Sequence, residues 1–277
     1  MNKNNFIWKI VLVLLIAVSF FLGFSFERGS SLQNSIESLD KQFRKIKNEA
    51  FCVGEVLEFD ISYGIIHAGT AKLLIPEYRT ISDRRCFYIR AEAYSAAAFS
   101  WFFKVEDRYE TYIDAEGIFP WIFEQHIREG KYKADNIASF DQNKNLAITK
   151  DSTYSIPEYA HDILSAFYFA RTQNFSNVKT GHILKLQNFY KDKVYPLDVK
   201  FLGRQTVKVG AGNFNCIIVE PLVQEGGLFK HKGRLLVWLS DDDRKIPIKM
   251  TSEVVIGSIS VELEKYSGLC GPLNSKK

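Results

Sequence analysis

The residues that invite a chemical reading crowd into one stretch, His161-Asp162-Ile163-Leu164-Ser165. A histidine, a carboxylate and a hydroxyl are the parts of a nucleophilic triad, in which the imidazole takes the serine proton and the carboxylate orients the ring. Four residues apart on a helix, His161 and Ser165 share a face. Asp162 points about 100° away and is poorly placed to orient that histidine. The spacing fits a helix start instead, where the Asp162 charge offsets the N-terminal dipole. No catalytic residue is assigned. His67, His126, His161, His182 and His231 are scattered without zinc-motif spacing, and Asp241-Asp242-Asp243 lacks the alternating ligands of a calcium loop. With no phosphate loop or nucleophile elbow either, neither a metal site nor a cofactor is expected.

Two other groups offer function without catalysis. Residues 95–103 read SAAAFSWFF, and Phe99, Trp101, Phe102 and Phe103 do not alternate. They suit packed core or an apolar crossover; as a ligand-binding candidate they form an exposed lip that holds an acyl chain or meets a membrane. Cys52 and Cys270 bracket the body and are the disulfide candidate, while Cys86 and Cys216 fall within apparent strands as buried apolar residues.

The elements that must position these groups are mostly strands. Leu57, Phe59, Ile61 and Tyr63 alternate with Glu58, Asp60 and Ser62, the period of a strand with one buried face. Similar alternation recurs at 71–75, 87–93, 197–201, 235–239 and 259–263, with turn chemistry between and no βαβ rhythm, so the strands pair antiparallel. Residues 156–171 break the pattern: Pro157 suits a first helical turn, and the run through Ile163, Leu164, Phe167 and Phe169 leaves almost no polar side. A helix apolar all round must be buried all round. The expected fold is therefore mainly β, a strongly curved antiparallel sheet or partial barrel wrapped around one central helix, preceded by an N-terminal hydrophobic helix.

Four parts are expected: a signal anchor or signal peptide at 1–29, an amphipathic stalk helix at 30–50, a β-rich exported domain at 51–270 and a tail at 271–277. The uncharged run from Ile10 to Phe26 follows Lys3 and Lys9, which places everything after it outside the cytoplasm; uncleaved, it is a membrane partner. Leu32, Ile36, Leu39, Phe43 and Ile46 recur at alternating spacings of four and three, a stripe for one amphipathic helix or for a dimer through the stalk. Of the net charge of +4, residues 1–50 hold seven basic and four acidic groups, so the body is balanced and nucleic acid is not an expected partner.

Several short motifs occur in order: Gly54-Glu55-x-Leu57, Ala68-Gly69-x-Ala71, Asp162-x-Leu164-Ser165-x-x-Tyr168-x-x-Arg171, Gly210-x-Gly212-x-Phe214, Trp238-x-Ser240-Asp241-Asp242 and Arg244-x-Ile246-Pro247. In these the chain resembles a family of bacterial exported proteins defined only as domain of unknown function 3108, from about residue 53 to 266. The resemblance implies a periplasmic, envelope location and a β-rich fold, and supplies no activity or site residue. The expected function is that of a non-catalytic envelope protein binding an apolar or cell-envelope ligand or a partner protein. An enzyme acting on envelope glycan or lipid, and a structural component of an envelope assembly, are the alternatives.

Overall fold

The computed structural model describes residues 42–101, 103–222, 234–253 and 257–277. The first half of the chain gives β1 (Val56–Tyr63), β2 (Ile66–Ile81), β3 (Arg84–Ser95), a single helical turn α1 (Ala97–Ser100), β4 (Glu106–Asp114), β5 (Pro120–Glu129), β6 (Tyr132–Asp141), β7 (Leu146–Thr149) and β8 (Thr153–Ser155). After α2 (Ile163–Arg171) come β9 (Ile183–Tyr190), β10 (Lys193–Val209), β11 (Gly212–Leu222), β12 (Leu235–Ser240), β13 (Pro247–Glu253) and β14 (Ser258–Ser267). All fourteen described strands form one antiparallel sheet, ordered β8-β7-β6-β5-β4-β3-β2-β1-β14-β13-β12-β11-β10-β9. The two halves are meanders joined where β1 pairs with β14, with Ile61 opposite Val261. The alternation expected from sequence sets this register: Leu57, Phe59 and Ile61 are buried, and so are Val261 and Leu263.

The sheet curls until its outer edges face each other. Tyr154 and Phe140, from the first half, pack on Phe189 of β9 with ring centroids 5.6 and 6.0 Å apart. Residues 156–161 bridge the seam: the Ile156 amide donates to Asn145 O at one end, and His161 exchanges two backbone bonds of 2.8 Å with β9 at the other. Covering the edges in this way removes the unpaired ladders that a long open sheet would present.

The helix is shorter than the sequence suggests. Residues 156–162 are not helical, because Tyr159 takes a positive φ of 56° and His161 spends its backbone on β9. What remains has no exposed residue and lies against β4 and β9, between Thr111 and Glu55, to which its ends are bonded. At 1.5 Å per residue, nine residues reach about 13 Å.

The stalk helix needs correcting where it can be seen. Residues 42–50 form an extended strap with no helix, and from Arg44 to Ala50 burial alternates, with Lys45, Lys47 and Glu49 outward. Phe43 packs on Phe119 and Trp121, the Ile46 amide donates to Glu116 O, and Arg44 donates to Gly117 O and Ile118 O. The two described residues of the apolar spacing read as a heptad, Phe43 and Ile46, are thus used to close one end of the sheet. The hydrophobic helix at 10–26 and stalk residues 30–41, with any dimer they make, lie outside the described residues. Among the described residues no helix is long and apolar enough to cross a membrane.

Candidate functional site

Antiparallel order puts the turns β1–β2, β3–β4, β5–β6 and β9–β10 at one end of the curled sheet and the strap at the other. The strap end is tied shut. Arg171 at the foot of α2 is fully buried and donates two bonds, of 2.6 and 2.7 Å, to the Glu55 carboxylate, with further bonds to Ala50 O and Arg244 O. Its guanidinium lies over the rings of Phe51 and Tyr168. Losing one partner of such a pair costs about 3–5 kcal/mol, since the other is left charged and dry. Cys52 and Cys270 are disulfide-bonded alongside, with Cα atoms 5.6 Å apart. Gly54, at φ 99°, faces Gly268 so closely that a Cβ on Gly268 would run into the Gly54 carbonyl. Glu55, Tyr168, Arg171 and Arg244, distant in sequence, are one structural knot.

The His161, Asp162 and Ser165 cluster belongs to this framework. Asp162 caps α2, accepting from the amides of Leu164 and Ser165 at 2.8 and 2.9 Å and from the Thr111 hydroxyl at 2.8 Å. Burial nevertheless pushes its pKa up to about 6. The Ser165 hydroxyl donates to Asp162 O, and His161 Nδ1 is 3.1 Å from it. Burial, with the Arg44 guanidinium 3.5 Å from Nε2, drives the His161 pKa down to about 3. All three side chains are buried and bonded to one another or to the helix they start, as parts of the framework.

The opposite end combines an apolar rim with buried polar groups. Ile65, Ile66, Tyr94 and Tyr132 are exposed there, and Trp101 is 91% exposed. Phe99 and Phe103 turn inward and pack on the core, so the expected lip is split between an outward tryptophan and inward phenylalanines; Phe102 lies outside the described residues. Below the rim, alternation points Asp107, Tyr109 and Thr111 of β4 inward, with Gln125 and Glu129 of β5 and Asn188 and Tyr190 of β9. The Arg128 amide donates to Asp107 Oδ1 at 2.6 Å, while Asp107 Oδ2, the Tyr109 hydroxyl, Gln125 Nε2 and both side-chain atoms of Asn188 make no hydrogen bond among the described residues. Burial moves Asp107 up to about 6, countered in part by Arg128. Burial also holds the Tyr109 phenol well above its usual range, and Asp107 and Glu129 add to it.

Buried polar atoms in folded proteins are nearly always bonded, and each orphan costs about 1–3 kcal/mol. Three of these atoms stand on neighbouring positions of β4 and β5, where Tyr109 is opposite Gln125; other unbonded buried atoms among the described residues, on Tyr168, Arg244 and Ser275, lie elsewhere. β7 pairs with the last four residues of β6, Ala138–Asp141, and Asn136, opposite Gln125, is exposed.

The structure also assembles a group that sequence reading missed. Glu110, Glu124 and His126 bring their ligand atoms within 4.8 Å of one another. Glu124-x-His126 on one strand face was the available signal, since residues i and i+2 share a side. Glu110 reaches them only through the β4–β5 register, which no local pattern announces.

A family model described as a protein of unknown function, DUF3108, matches residues 58–264. No curated protein matches the chain significantly. Among solved structures, a β-barrel-like protein of the domain of unknown function DUF1849 from Brucella abortus is similar at 12% identity and a TM-score of 0.52, covering 80% of this chain and 98% of that one. A hypothetical protein from Chlamydia trachomatis matches at 8% identity and a TM-score of 0.34, over 82% of this chain and 92% of that one. The first likeness shows a shared barrel-like fold.

Proposed function

Since the chain belongs to the DUF3108 family, for which no activity is described, function has to be read from the site, and we propose a non-catalytic extracytoplasmic protein that binds one amphipathic envelope molecule at its rimmed end. The observation that carries this reading is the set of unbonded buried groups, Asp107 Oδ2, Tyr109 Oη, Gln125 Nε2 and Asn188, under an apolar rim. A hydroxylated or amide-bearing head answers those groups, because they offer both donors and acceptors. An acyl chain answers Trp101 and the inward Phe99 and Phe103. The uncharged run from Ile10 to Phe26, preceded by Lys3 and Lys9, supports residence on the periplasmic side of the inner membrane, anchored or released. The pairing of Cys52 with Cys270 suits an oxidising compartment.

A dansyl-labelled lysophospholipid, titrated below its micelle concentration and followed by anisotropy, tests the reading. Saturable binding of one molecule per chain is expected, weakened severalfold by Trp101→Ser. Linear, unsaturable uptake, or uptake indifferent to that substitution, would remove the rim from the account.

A further inference from the structure

On the outer face of the sheet, β4 and β5 carry the cluster of two carboxylates and one imidazole. Glu110 stands directly opposite Glu124, and His126 follows two residues along the same face of β5. His126 Nε2 is 3.4 Å from Glu110 Oε2 and 3.5 Å from Glu124 Oε2. Ligands held at about 2.0–2.2 Å by a tetrahedral zinc stand about 3.3–3.6 Å from one another, and both distances from Nε2 share this spacing. It is also too long for good hydrogen bonds.

A second observation points the same way. His126 Nδ1 is 2.8 Å from Asp135 Oδ1, and Asp135 is itself held by two bonds from Arg128. A carboxylate on one ring nitrogen fixes the proton there and turns the lone pair of the other outward, as it does behind metal-bound histidines. Here that other nitrogen, Nε2, is buried and makes no hydrogen bond among the described residues. The Tyr88 hydroxyl donates to Glu110 Oε1, and Arg108 Nε lies 3.0 Å from Oε2, the oxygen that faces His126, so the carboxylate is held in place. Glu124 completes the group from the neighbouring strand, its Oε2 facing His126 Nε2.

We propose that Glu110, Glu124 and His126 bind one divalent transition-metal cation of the zinc type, with a fourth position open to water or to an outside ligand. An imidazole with two carboxylates suits zinc and its neighbours better than calcium, which prefers six or more oxygens. The ion would cross-link β4 to β5 on the face opposite Asp107 and Tyr109, so the site stands independently of the binding end.

The test uses the full-length chain, stripped with chelator and titrated with Zn2+ by calorimetry, and with Co2+ by visible absorption. One ion per chain and the absorption bands of tetrahedral cobalt are expected. Glu124→Gln and His126→Gln should each weaken Zn2+ binding by at least about tenfold, and Asp135→Asn by about 10–100-fold through the ring it orients. The Asp135 carboxylate is half exposed, so that variant keeps the test independent of folding. Absence of Zn2+ binding by the folded wild-type chain, or binding unchanged in all three variants, would overturn the site.

Discussion

Asp107 sits in a position that costs the folded protein stability. Its carboxyl has a folded pKa of about 6, above the value of about 3.9 of an unfolded aspartate, so the folded state holds the proton more tightly. Its contribution is therefore most favourable below pH 4 and is lost as pH rises through 6. Asp107→Asn is expected to raise stability by about 1–2 kcal/mol at pH 7.5 and to leave it nearly unchanged at pH 4. Urea unfolding at the two pH values measures this, and an equal effect at both would mean the carboxyl is not buried as described. Evolution tolerates such strain mainly where a residue serves something besides the fold. Arg171 with Glu55 is the contrasting case, since each guanidinium nitrogen and both carboxylate oxygens are bonded from inside the chain.

At the scale of elements, the strap before β1 decides where the folded unit begins. Phe51 and Ala50 are core residues, and Phe51 packs edge-on against Tyr168 of α2 and beside Phe87 of β3. Phe51→Ala is expected to cost about 3–5 kcal/mol, a typical value for emptying a buried phenylalanine site. A midpoint of urea unfolding that does not move would show the strap to be a loose leader. The strap also explains what sequence could and could not reveal. Strands were legible because one face of each is dry, so that Leu57, Phe59 and Ile61 print their period directly. The strap hid its period because Arg44, a charged residue, occupies an inward position by stacking on Tyr159 and Phe169. Phe43 and Ile46 then read as a continuation of the helical spacing of Leu32, Ile36 and Leu39. For α2 the apolar run and the Asp162 cap were readable, but its start was set by the His161 pairing with β9, a long-range contact. The candidate site was least legible of all. Asp107, Tyr109, Gln125 and Asn188 come from three strands, and each looks like an ordinary polar residue until the register puts them on the inner face.

The whole molecule is a curled sheet fastened at one end and rimmed at the other. The Cys52–Cys270 bridge closes a span of 218 residues beside the Arg171 knot, and in the chain-entropy account so long a loop is worth about 5 kcal/mol at most. Reduction should therefore lower the thermal midpoint by several degrees. In the unreduced folded protein no thiol should react with alkylating agent, since Cys86 and Cys216 are buried; labelling at 52 and 270 would contradict the bridge. With that end fastened, the proposed function assigns the guest to the rimmed end. Native mass spectrometry of the full-length protein, purified from an exporting host in mild detergent, puts this most directly. One stoichiometric, lipid-sized adduct is expected on the wild-type chain and none on an Asp107→Leu, Asn188→Leu variant that melts no lower. A wild-type chain that stays bare after incubation with envelope lipid extract, or a variant that keeps the adduct, would contradict a guest held by the buried polar groups of β4 and β9.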